Sequence, residues 1–201
     1  MIFEINPTLV KELREKTGAG MMNCKKALQE TDGNFEEAIK TLRKKGLASA
    51  DKKASRKAIE GIVNSYIHTG RKIGVLLELN CETDFVARQQ EFYELANNLA
   101  MQIAASPDVV YISLEEIPKK LFEAEKAIEL NKEDLKTKPI EIKEKITLGR
   151  VEKTLKNLSL LNQPFIRNPN ITIEELIKEK ISFFGENIKV KRFIRYTLGT
   201  E

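Results

Sequence analysis

The sequence predicts an α+β protein: three short helices, then a basic linker, then a larger part in which a three-stranded antiparallel sheet packs with helices and a helical hairpin. Three observations predict this. Apolar residues recur at helical spacing through the first 46 positions, two β-rich runs flank a turn signal at Gly70-Arg71, and the segment from Ile188 to Thr197 alternates with a period of two.

Asn6-Pro7 opens the first helix. Asn caps, Pro at the next position gives up only an amide hydrogen that has no helical partner, and Leu9, Val10 and Leu13 share a face until Gly18. The second helix runs from Met21 to Thr31, with Met21, Cys24, Ala27 and Leu28 on one stripe, and ends at Asp32-Gly33. Asn34 and Glu37 form a capping pair for the third helix, whose apolar face is Phe35, Ala38, Ile39 and Leu42, and Gly46 is read as its left-handed stop. The basic stretch Lys40 to Lys57, with Asp51 its only acid, has too few large apolar residues for a core and reads as a partly helical linker.

Ile62–Ile67 and Ile73–Leu79 form a hairpin. Thr83 caps a helix that includes Phe92, Leu95, Leu99, Ile103 and Ala104 and stops before Ser106-Pro107. Ser113 and Glu116 pair at the start of a short element ending at Pro118. A charged helical region then breaks at Lys136 to Pro139 into two helices folded as a hairpin. Thr172 and Glu175 cap a further helix to Phe184, and Gly185 releases the chain into the last strand. That strand carries Ile188, Val190, Arg192, Ile194 and Tyr196 on one face and Lys189, Lys191, Phe193, Arg195 and Thr197 on the other.

Composition removes several classes of function. With 41% hydrophobic and 32% charged residues among 201, a packed core under an ionic surface is expected and bulk disorder is not. Thirty-four bases against 30 acids leave +4, a mild excess that does not by itself demand nucleic acid, whose binders carry a concentrated basic face, and no direct nucleic-acid partner is expected. Cys24, Cys81 and the single His68 are too few and too scattered for a zinc site or a disulfide scaffold. The longest apolar run, Ile73 to Leu79, is interrupted by Glu78 and falls short of the roughly 20 residues of a membrane span, so no membrane is expected. The start, Met1 to Asn6, shows no basic head before an apolar run. No targeting peptide is expected, and the chain should work in the compartment where it is made, a bacterial cytoplasm or plastid stroma.

Phosphate-cradling loops are missing too: Gly18-Ala19-Gly20 follows a helix and precedes no Lys-Ser pair, so it reads as a connector. With His68 placed in a strand, the usual acid-base and nucleophile pairs lack their commonest member. Neither bond-making catalysis nor a cofactor is expected.

Two places suggest protein recognition. Met21 and Met22 are adjacent on a helix and point about 100° apart, so one of them faces outward, with Arg14 flanking it. Ordinary core filling is the alternative. Asp84-Phe85 follows the hairpin. Asp84 can act as a cap or dipole partner and Phe85 as a core residue, or an exposed ring can wedge into a partner while the carboxylate accepts hydrogen bonds.

The stretch from Leu9 to Leu28, containing Thr17-Gly18-Ala19-Gly20-Met21-Met22-Asn23-Cys24-Lys25-Lys26-Ala27-Leu28, resembles the N-terminal signature of the elongation factor Ts family. Asn80-Cys81-Glu82-Thr83-Asp84-Phe85-Val86-Ala87 resembles its core signature, and Gln163-Pro164-Phe165 and Gly185-Glu186-Asn187-Ile188 its closing region. The resemblance implies a UBA-like three-helix domain over 1–46, a linker over 47–57 and a core and dimerisation domain over 58–201. It also implies a guanine-nucleotide exchange factor that releases GDP from elongation factor Tu. Carried over by position, Arg14, Met21 and Met22 would contact the nucleotide-binding domain of Tu, and Asp84 and Phe85 would insert near its magnesium site. A homodimer carrying a Tu on each side, a Tu2Ts2 complex, is implied in the same way. Two departures stand out: Asn23 where Asp is common, and Gln102 where His is common, which puts a partner contact by that imidazole in doubt. A UBA-type adaptor without exchange activity is the alternative expectation, and a nucleic-acid module using the 40–57 run a third.

Overall fold

The computed structural model describes residues 6–136 and 138–199. Residues 1–5, which carry the expectation about a targeting segment, lie outside the described residues, as does Thr137 within the hairpin break.

The helices begin where the sequence provides caps. The Asn6 side chain accepts from the Thr8 amide at 2.9 Å, Pro7 opens α1 (Pro7–Thr17), and Gly18 closes it at φ +67° by returning its amide to the Arg14 carbonyl. After α2 (Met21–Glu30), Asn34 accepts from the Glu37 amide and starts α3 (Phe35–Lys53). Val10, Leu13, Cys24, Ala27, Leu28, Ala38 and Leu42 close a core between the three helices.

Two expectations need correction here. Helix α3 does not stop at Gly46 but continues to Lys53, because Gly46 is there for space: a β-carbon on it would lie 3.0 Å from the Ser182 hydroxyl. Met21 does not join the stripe of Cys24, Ala27 and Leu28, since those three fill the available core and leave Met21 outside.

The hairpin is β1 (Glu60–Ile67) and β2 (Ile73–Cys81), turned through Gly70 and Arg71 with positive φ at both. Gly61, at φ +145°, lets β1 lie so close to β2 that a β-carbon would collide with the Leu79 carbonyl. The helix expected after Thr83 is two helices, α4 (Asp84–Ala87) and α5 (Gln90–Ala105), separated at Arg88-Gln89. Helices α6 (Lys119–Leu130) and α7 (Ile140–Leu158) form the expected hairpin. The short strands β3 (Pro164–Phe165) and β4 (Asn168–Thr172), which the sequence reading does not include, pair antiparallel. Helix α8 (Ile173–Phe184) leads through Gly185 into β5 (Lys189–Thr197), which completes an antiparallel sheet in the order β1-β2-β5.

The chain divides into two compact units. One comprises residues through Val63, Glu78–Leu95 and Glu175–Lys191, and the other comprises Asn64–Leu77, Ala96–Glu174 and the chain from Arg192. In the first, α8 docks on the N-terminal helices. Arg43 lies between Glu175 (3.5 Å) and Glu179 (3.3 Å), Lys178 reaches Asp51 at 2.8 Å, and the Phe92 and Phe184 rings meet edge to face. In the second, Leu99, Ile103, Leu135, Val151 and Leu160 are buried, and the Arg150 guanidinium forks onto Asp134 across the helical hairpin. The covered side changes along the last strand: Ile188 and Val190 are buried, whereas further on Phe193, Arg195 and Thr197 are half-buried and Ile194 and Tyr196 exposed.

Candidate partner-binding site

The five residues singled out from the sequence all lie in the first unit and are all at its surface or partly so, in two groups. Arg14 is exposed near the end of α1, and Met21 and Met22 open α2, 43% and 67% exposed. Both thioethers therefore face solvent, where one was expected. Arg14 stands near Cys24 of α2: burial pushes the Cys24 thiol up, opposed by a hydrogen bond with Thr17 and by the Arg14 charge.

Asp84 and Phe85 occupy the first turn of α4. Val86 and Cys81 are buried and anchor the turn from below. Since neighbouring helical residues diverge by about 100°, seating Val86 turns Phe85 outward, where it is 78% exposed. A phenyl ring left this open adds little burial to the fold. Asp84 is half-exposed and pairs with Arg88 one turn on, at 3.0 Å.

Thr83 is the N-cap of α4, yet its side chain makes no capping bond. The hydroxyl donates to Glu186 at 2.6 Å, and the Glu82 and Thr83 amides donate to the same carboxylate at 3.1 and 3.0 Å. In return, Glu82 accepts from the Asn187 amide at 2.6 Å, and the buried Asn187 side chain donates to the Ala54 and Arg56 carbonyls. The sequence reading missed these functions of Glu82, Glu186 and Asn187. One local signal pointed to them: a capping box needs Glu or Gln three residues after the cap, and Val86 stands there, so the amides at the start of α4 require a distant acceptor.

Other candidates have structural roles. Gln102 is buried, with its amide nitrogen on the Pro164 carbonyl and Ser106 hydroxyl and its oxygen accepting from the Ile166 amide, so it clips the β3–β4 turn in its own fold. His68 follows β1, exposed, its Nδ1 3.0 Å from the Tyr66 hydroxyl. Cys24 and Cys81 are both buried free thiols, and desolvation, helped by the Glu186 charge, pushes Cys81 up to about 11. In the basic run, Lys40 pairs with Glu37, Arg43 with Glu175 and Glu179, Lys45 with Glu30 and Arg56 with Glu82, which breaks up its positive field. Among the described residues no cluster of His, Cys, Asp and Glu could hold a metal, and no helix is long and apolar enough to cross a membrane.

The family model for elongation factor Ts matches residues 2–200. The chain belongs to the elongation factor Ts family. Among curated members, it is 62% identical over 199 residues to the chloroplastic elongation factor Ts of Rhodomonas salina, covering 99% of this chain and 91% of that one. The elongation factor Ts of Synechococcus elongatus is 60% identical over 196 residues, covering 98% and 89%. The chloroplastic elongation factor Ts of Pyropia yezoensis is 58% identical over 199 residues, covering 99% and 90%. The family relatives are thus bacterial and chloroplastic, and they match the chain almost end to end.

Proposed function

We propose that the protein is the nucleotide-exchange factor of a translation system of bacterial or plastid type, working in the cytoplasm or stroma, and that it binds elongation factor Tu carrying GDP and promotes GDP release. It makes and breaks no bond. The observation that carries the reading is the exposure of Phe85 beside a carboxylate on a turn whose backbone is tied down, within the family's core signature. A ring that adds little to its own fold is available to enter an apolar pocket of a partner. Asp84, released from Arg88, can accept hydrogen bonds beside it.

The energetics are those of linkage. A factor that binds nucleotide-free Tu more tightly than loaded Tu must weaken GDP binding by the same ratio, and each tenfold corresponds to about 1.4 kcal/mol. In this reading Arg14, Met21 and Met22 form a second contact on the nucleotide-binding domain of Tu. Methionine pairs, flexible and polarizable, suit a surface that must fit both the loaded and the emptied partner. The three N-terminal helices then serve as a UBA-like binding domain and the rest as the core.

The same reading includes a homodimer with one Tu on each side. Its support is the open face of the sheet, where Ile67, Leu76, Ile194 and Tyr196 are all exposed and a β-carbon on Gly74 would touch Ile67. Apolar residues gathered on one sheet face favour burial against a second copy.

Tu loaded with a fluorescent GDP analogue tests the exchange activity: addition of the chain should accelerate analogue release in the presence of excess GTP. Binding to Tu with an unchanged release rate would instead indicate an adaptor.

A further inference from the structure

We propose that Glu186 and Asn187 are positioning residues for Phe85, a clasp that holds the 82–84 backbone in its partner-ready form before any partner arrives. The inference rests on the exchange reading and deepens it.

Glu186 accepts three hydrogen bonds from two consecutive residues: the Glu82 and Thr83 amides on Oε2 and the Thr83 hydroxyl on Oε1. Each has an ionised acceptor, the stronger class of protein hydrogen bond. The reverse half of the clasp runs from the Asn187 amide to Glu82 Oε1, so that each of the two segments offers a carboxylate to the other's backbone. Asn187, 1% exposed, also ties the Ala54 and Arg56 carbonyls at the end of α3 to the same point. The Cys81 thiol also donates to the Thr83 carbonyl at 3.1 Å. The residue before Asp84 is therefore held through its amide, carbonyl and hydroxyl.

This holding is more than α4 needs in order to exist. A four-residue helix with Val86 seated could be capped by Thr83 itself, but here the Thr83 hydroxyl is turned away from the helix to Glu186. The arrangement fixes the direction in which α4 leaves the sheet and so the direction of the Phe85 ring. Ordering these residues in the free protein removes that entropy loss from the binding step, where it would weaken every contact the ring makes.

Two measurements on the full chain test the clasp. In the free protein, Glu186→Gln keeps the side-chain shape but replaces one acceptor oxygen with a donor, so amide hydrogen exchange in residues 82–88 should accelerate. In the fluorescent-GDP assay at subsaturating factor, Glu186→Gln should slow release by about tenfold. In a Phe85→Ala background the same substitution should change release less than twofold, because the residue it positions is gone. Thr83→Val, which removes only the hydroxyl leg, should lose about threefold and provides the test if Glu186→Gln does not fold. Wild-type release from Glu186→Gln, or equal fold-losses with and without Phe85, would overturn the clasp while exchange activity stands. A wild-type chain that fails to accelerate release would remove the exchange reading itself, and the clasp with it.

Discussion

The ring of Phe183 covers Gly18: a β-carbon at Gly18 would come within 2.5 Å of Cδ2 and 2.8 Å of Cε2. The glycine that ends α1 thus also seats α8, and two demands converge on one position, a φ of +67° and no side chain. Gly18→Ala should lower stability by ~1–3 kcal/mol from the backbone conformation alone, with the collision added. Urea denaturation checks this: a loss within that range would show that the ring moves aside, and wild-type stability would contradict the backbone cost as well.

Beside that contact, burial raises the Glu179 carboxyl above its ordinary 4.5, partly offset by the Arg43 charge. The folded state then holds the Glu179 proton more tightly than the unfolded chain does. The ionised group weakens the fold above its folded-state pKa, and this penalty is relieved as the pH falls through that value toward 4.5. Glu179→Gln lacks this relief, so the wild type should gain stability relative to the variant on going from neutral pH to about 4.5. Thermal melts of both proteins across that range measure the gain, and parallel curves would count against it.

Cys24 and Cys81 are buried, and the thiol of each is shifted toward the unreactive protonated form. A thiol reagent at about pH 8 should label neither in the native protein faster than the chain opens, and both at once in denaturant. Fast labelling of one site under native conditions would place that thiol near the surface.

Ile67, Leu76, Ile194 and Tyr196 predict association. The chain should sediment at roughly twice its 22.9 kDa at micromolar concentration, with a melting temperature that rises with protein concentration, and Ile194→Glu should return it to one folded copy whose melting temperature no longer depends on concentration. A wild type that sediments as a single chain would contradict the dimer.

Much of this architecture is legible locally. Asn6-Pro7 and Gly18 bound α1, Asn34 and Glu37 start α3, Gly70-Arg71 turns the hairpin, and Pro139 restarts the helical hairpin, because caps and turns act over a few residues. What escaped was tertiary. Gly46 looks like a helix stop in sequence and is a spacer against Ser182, a residue more than 130 positions away. The β3–β4 pair is too short for a period-two signal and is clipped from outside by Gln102. At the site, Phe85 and Asp84 could be singled out from the motif, but the outward turn of the ring depends on Val86 seating in the core. The hold on the loop comes from Glu186, 103 residues from Thr83.

The most direct test of the account is GDP release from Tu with Phe85→Ala beside the wild type. An exposed ring contributes little to the fold, so the variant should melt with the wild type. It should nevertheless lose at least tenfold in release rate, the size expected for a buried aromatic anchor at an interface. A Phe85→Ala chain that folds normally and releases GDP as fast as the wild type would contradict the wedge.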